Sequence, residues 1–103
     1  MYGSIMRARV KPGRRAELER LFKEIGPHHQ EHGLISAELA WEALNPDRVL
    51  VLIHFRDRES YLRNADRPQT NEDFRRQLEL LDGEPEWIDV EYGARVGNAL
   101  THA

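Results

Sequence analysis

Residues 45–56 read Asn45-Pro46-Asp47-Arg48-Val49-Leu50-Val51-Leu52-Ile53-His54-Phe55-Arg56. Val49–Ile53 is uniformly apolar, and polar groups enter only at His54 and Arg56. An aliphatic run this short, with no polar alternation, reads as a strand covered on both sides, hence a central one. The four residues before it form a turn by composition, because Asn and Asp bond to nearby backbone and proline presets φ. Upstream of the turn lies a second extended run, Leu34–Leu44. Ile35, Ala37, Leu39, Trp41 and Ala43 share one face of it, and Ser36, Glu38, Ala40 and Glu42 the other. Two extended runs joined by a short turn make an antiparallel hairpin.

Outward from the hairpin the period changes. Residues 2–10 alternate, with Tyr2, Ser4, Met6, Ala8 and Val10 on one side and Gly3, Ile5, Arg7 and Arg9 on the other. Lys11-Pro12-Gly13 breaks this first strand. Leu18, Leu21, Phe22 and Ile25 then fall at i, i+3, i+4 and i+7, the stripe of an amphipathic helix. Gly26-Pro27 is expected to end or kink it, leaving His28–Gly33 as a loop. After the hairpin, Asp57–Leu81 is helical in two pieces broken at Arg67-Pro68. The first is capped by Asp57 or Ser60, the second by Thr70 or Asn71. A fourth strand, Trp87–Tyr92, alternates Ile88, Val90 and Tyr92 against Trp87, Asp89 and Glu91. The order βαββαβ is the split βαβ, ferredoxin-like α+β arrangement: a four-stranded antiparallel sheet with its helices on one face and the first and third strands central. The domain spans residues 1–93, and residues 94–103 form an aperiodic tail, apart from a short extension of the strand through Val96.

Composition narrows the function classes. The chain of 103 residues is one domain. With 15 Lys/Arg against 18 Asp/Glu its formal charge is −3, which argues against a nucleic-acid binder that neutralises phosphates. No apolar run is long enough to span a membrane, and MYGSIMRARV lacks the long apolar core of a secretion signal. The cysteine count is zero, which excludes disulfides, thiolate nucleophiles and Cys-based metal sites and leaves the cytoplasm as the expected location.

Two helices cover only one side of a sheet. The third strand is apolar on both sides, and the other strands keep large groups opposite their more apolar set. A face carrying Ile5, Leu50 and Leu52 or Val51 and Ile53, with Trp41 or Trp87, is too large a patch to leave in water. The expected remedy is a homodimer in which two such faces close on one another. Arg7 and Arg9 on one central strand would pair across to Asp89 and Glu91 on its neighbour.

These residues carry a family resemblance. The stretches YGSIMRARVKPG (Tyr2–Gly13), ELERLF (Glu17–Phe22), VLVLIHF (Val49–Phe55) and RDRESYLRNA (Arg56–Ala65) resemble the antibiotic biosynthesis monooxygenase family, small proteins of the dimeric α+β barrel superfamily. The ending PEWIDVE (Pro85–Glu91) is similar to that of an uncharacterised bacterial branch. The resemblance covers residues 2–92. It implies the ferredoxin-like fold, a homodimer, and oxidation of an electron-rich aromatic by O2 without a cofactor. Such chemistry needs a dry pocket for a flat substrate, a base for the phenolic proton and donors for the oxyanion. With the pocket between helices and sheet, the candidates are His54 as base, Asn64 as donor, and Trp41, Tyr61, Phe74 and Trp87 as walls. The family's haem-degrading branch uses an Asn on the first strand, a Trp on the helix after the third strand and a His on the next helix. This chain has none of the three at those places.

Each candidate has a plainer reading beside it. His54 is a pH-sensitive group or a histidine hydrogen-bonded in a packed layer. His28, His29, Glu31 and His32 form H-H-x-E-H, a zinc-like spacing on a helix but here a solvated loop. No metal is assigned. Trp41 and Trp87 are core or interface anchors before they are substrate platforms. Tyr61 is core or pocket wall. Arg7 and Arg9 bind an anion or, more plainly, pair with acids. The rival to the oxygenase is a non-catalytic dimer that binds a small hydrophobic ligand.

Overall fold

The computed structural model describes residues 1–97. Its elements are β1 (Tyr2–Arg9), α1 (Arg15–Gln30), β2 (Leu34–Trp41), β3 (Arg48–Phe55), α2 (Arg58–Ala65), α3 (Pro68–Leu78) and β4 (Glu86–Glu91). All strand pairs are antiparallel in the order β2-β3-β1-β4, so the apolar run and the first strand are central, as the patterning predicts. Met6 lies opposite Val51, and Ala8 opposite Val49. These four side chains are buried with Leu18, Leu21 and Ile25 of α1 and with Leu80 and Leu81. The fold is the ferredoxin-type α+β arrangement with the second helical region split in two.

Five local expectations need correction. The first helix continues through Gly26-Pro27 to Gln30. Proline normally pushes its predecessor out of the helical region by clashing with that residue's Cβ, and Gly26 has none. Side-chain bonds from α2 and α3 hold the extra turn. β2 ends at Trp41, and its ladder shifts register between Leu34 and Ser36. The irregularity takes Ile35 off the face of Ala37 and Leu39 and leaves it 51% exposed. α3 starts at Pro68, with Arg67 as its cap, rather than at Thr70 or Asn71. Proline fits a first helical turn, where its missing N–H has no partner to lose. The pairing of Arg7 and Arg9 with Asp89 and Glu91 does not occur. Register sets Asp89 opposite Ser4 and Glu91 opposite Tyr2 on the helix side, while both arginines face the other way. Arg7 binds Glu42 at 2.8 Å and Arg9 binds Asp47 at 3.1 Å. Gly93–Gly97 forms no strand, so the short extension through Val96 is not formed. The rest of the expected tail, residues 98–103, lies outside the described residues.

The two sheet faces differ in cover. The helix side holds the core together with Trp41, opposite Val49, and Trp87, opposite Met6, so neither tryptophan belongs to the open face. The open side carries Ile5, Leu50, Leu52, Ile88 and Val90, half-buried or exposed, and among the described residues no helix covers them. Gly3 also lies on this side, packed so closely that a Cβ there would stand 1.8 Å from the Ile53 carbonyl oxygen. Gly3→Ala is expected to lower the free energy of unfolding by about 3 kcal/mol or more, beyond ordinary overpacking. Urea unfolding of the purified variant measures it.

Candidate functional site

Between the helices and the sheet lies a cavity of about 300 Å³. Its floor is Ser4 and Met6 of β1, Val51, Ile53 and Phe55 of β3, and Trp87 of β4. Its roof combines Ile25 and His29 of α1, Tyr61 and Asn64 of α2, and Asp73, Phe74 and Gln77 of α3. Local sequence builds this roof. Asp57 accepts a 2.7 Å bond from the Ser60 backbone N–H and so starts α2, which turns Tyr61 and Asn64, one helical turn apart, toward the sheet. Pro68 starts α3, and from there Asp73, Phe74 and Gln77 fall on its inner face.

Four of the six predicted site residues line this cavity. Asn64 is buried on the roof. Phe74 meets Trp87 edge to face at 5.6 Å, and Tyr61 packs edge-on against Phe55 at 5.4 Å. The Tyr61 hydroxyl donates to Asp89 at 3.0 Å. Burial pushes the Tyr61 phenol above its ordinary pKa and the Asp89 charge adds to this, with the Ser4 hydroxyl partly opposing, so Tyr61 remains a neutral donor at physiological pH. The other two residues lie elsewhere. His54 is opposite Gly3 on the open face, stacked on the Tyr92 ring at 3.9 Å, and the sheet separates it from Asn64. The odd-even alternation of β3 decides this: Ile53 and Phe55 point into the cavity, so His54 cannot. Trp41 packs beside α1, donating to Glu19 at 2.6 Å with the Arg15 guanidinium 4.3 Å above its ring.

The polar centre of the roof is a group the sequence reading did not assemble. Asp73 is 1% exposed. Its Oδ2 lies 3.0 Å from His28 Nδ1 and 2.9 Å from His29 Nε2, and its Oδ1 accepts from Gln69 at 2.8 Å. His29 Nδ1 faces the Asn64 amide nitrogen at 2.9 Å, and Arg67 donates to Asn64 Oδ1 at 2.8 Å and to the His28 carbonyl at 3.1 Å. Burial alone would raise the Asp73 carboxyl, but the bonds from His28 and Gln69 and the nearby imidazoles outweigh it and hold the group below the ordinary carboxylate range. One signal for this cluster was available. Continuing the stripe Leu18, Leu21, Ile25 by three or four residues lands on His28 and His29. The burial of Asp73 has no such signal, since a lone Asp in a charged helix reads as wet. Among the described residues no cluster of His, Asp and Glu has the arrangement of a metal site. Two buried hydroxyls on the cavity wall, Ser4 Oγ and Thr70 Oγ1, have no protein partner of good geometry.

Asp73→Ala orphans the donors of His28 and Gln69, removes the ionic contact to His29, and is expected to reduce stability near neutral pH by about 3–5 kcal/mol. The native carboxyl is held below its ordinary 3.8. Its contribution is therefore fully present above the ordinary carboxylate range and fades as pH falls through the native value. Urea unfolding at several pH values should show parent and variant converging in acid.

The family model for antibiotic biosynthesis monooxygenase matches residues 1–79. Among solved structures, a conserved protein from Methanosarcina mazei Go1 is 22% identical, with a TM-score of 0.77 over 89% of this chain and 92% of that one. Rv0793 from Mycobacterium tuberculosis is 16% identical, with a TM-score of 0.74 over 93% and 98%. The structure of an antibiotic biosynthesis monooxygenase is 13% identical, with a TM-score of 0.72 over 91% and 100%. At such identities the likeness is one of fold. No curated protein matches the sequence. The family match covers most of the domain, including β1, the hairpin and the helices that roof the cavity, and the chain belongs to the antibiotic biosynthesis monooxygenase family.

Proposed function

We propose that the protein is a monooxygenase that oxidises a small aromatic, quinol-like compound with O2 and no cofactor, acting as a homodimer. Family membership supports the reaction class. The observation that carries the substrate class is the cavity: aromatic walls from Tyr61, Phe74 and Trp87 around an apolar floor, with the Asn64 amide on the roof. Its volume is at the low end of the ~300–1,000 Å³ range of ligand pockets, a size suited to one or two fused rings. A phenolate bound there gives an electron to O2, and the resulting radical pair combines at a ring carbon. One oxygen atom stays in the product and the other leaves as water. The substrate's own hydrogens and electrons complete the balance. An Asn64 N–H aimed at the phenolate oxygen stabilises the charge before the electron leaves.

Oxygen-electrode assays with a panel of hydroquinones and anthrones test this reading. Uptake is expected with at least one compound, falling about 10²-fold in Asn64→Ala while circular dichroism shows the fold retained. Binding without uptake by any compound would favour the non-catalytic ligand-binding protein.

The dimer rests on the open sheet face, where Ile5, Leu50, Leu52 and Ile88 form one apolar surface beside the Arg7–Glu42 pair. A two-fold partner presenting the same surface removes it from water. Light scattering should return twice the 12.0 kDa chain mass, and Leu52→Lys, at the centre of the face, should return a folded single chain. A folded parent of single-chain mass would overturn the dimer.

A further inference from the structure

We infer that His29 is the base that takes the substrate's phenolic proton and that Asp73 positions it, an assignment that rests on reading the cavity as a phenol site. The tautomer follows from the partners. In the neutral ring the nitrogen that accepts from the Asn64 amide, Nδ1, is the basic one, and Nε2, in ionic contact with Asp73 Oδ2 at 2.9 Å, carries the hydrogen. Arg67 donates to Asn64 Oδ1, which fixes that amide with its NH2 toward His29 Nδ1 at 2.9 Å. The lone pair of Nδ1 and an Asn64 N–H therefore face one another on the wall of the same cavity.

A phenol oxygen inserts into this Asn64–His29 hydrogen bond, parting the two nitrogens by about 2 Å and taking over the bond of each. Its O–H donates to His29 Nδ1, and its lone pair accepts from Asn64 Nδ2. When the O–H bond breaks, the proton passes to Nδ1 and the bonding electrons remain on oxygen as phenolate. The imidazolium then lies against Asp73, and the phenolate against the Asn64 amide. The charged and titratable groups around this centre act in known directions. The Asp73 carboxylate faces Nε2 at 2.9 Å. His28 shares the same Asp73 oxygen from the more exposed side, and Arg67 reaches the pair through Asn64 and so favours the phenolate. Tyr61, bonded to Asp89, is a neutral phenol on the cavity wall. The dyad thus fills the role that His54 cannot fill from the opposite sheet face.

Binding of 4-nitrophenol reads the proton directly, without turnover, because its phenolate absorbs in the visible and its phenol does not. Bound to the parent protein, it is expected to ionise at a pH about one unit below that of the free compound, roughly a tenfold shift toward phenolate. His29→Gln should still bind it but return its ionisation to the free value. Asp73→Asn, which keeps the shape of the side chain but removes the charge facing Nε2, should fall between. If Asp73→Asn does not fold, His29→Gln alone decides. Binding to the parent with unshifted ionisation, or the same shift in His29→Gln, would overturn the assignment and leave the aromatic pocket standing. Absence of binding to the folded parent would overturn both.

Discussion

The apolar run of β3 must be kept from water on both of its faces, and the other elements answer to that constraint. On one side, α1 lays Leu18, Leu21 and Ile25 over Val49 and Val51. At the Phe55 end of the strand, α2 and α3 take over. Because three separate helices supply this cover, they do not close completely over Ile53, and the cavity is the remainder. The site is thus a product of how the layer is roofed. On the other side the same strand offers Leu50 and Leu52 to whatever lies beyond the sheet.

The roof is held by polar rather than apolar bonds. A carboxylate as deeply buried as that of Asp73 is costly to desolvate unless donors surround it, and here they come from two helices. His28 donates to it from α1, with His29 in ionic contact beside it, and Gln69 donates from α3 itself. Arg67, between α2 and α3, then bonds both Asn64 and the backbone of α1. These bonds tie all three helices together at the place where the apolar packing is thinnest. A buried polar network of this kind favours one arrangement over its neighbours, which a binding site for a rigid planar molecule requires.

The fold was legible in the sequence because its signals are periodic and repeated. The unbroken aliphatic run named the central strand, the turn Asn45–Arg48 named the hairpin, and the stripe ending at Ile25 named the first helix. The candidate site was legible only in part. Tyr61, Asn64, Phe74 and Trp87 lie where their helical and strand periods direct them. His54 was misplaced because a strand apolar on both faces gives no hint which parity points inward, and the inward parity turned out to be that of Ile53 and Phe55. His28 and His29 were hidden by Gly26-Pro27, a pair that stops most helices. Here a missing Cβ and long-range bonds to Asp73 and Asn64 overrode the local rule. Cross-strand charge pairing failed for a similar reason, since composition gives the charges of two neighbouring strands but not their register.

Ile53 stands at a junction between the two sides of the sheet. Its side chain floors the cavity, while its carbonyl oxygen accepts a 2.9 Å bond from the Tyr92 hydroxyl, and the Tyr92 ring stacks on His54. Protein interiors yield little to compression, so a displacement of Tyr92 is carried through one peptide unit to the cavity floor. The two sides of the sheet therefore meet in one residue here: Ile53 offers its side chain to the cavity and its carbonyl oxygen to the outer surface beside His54.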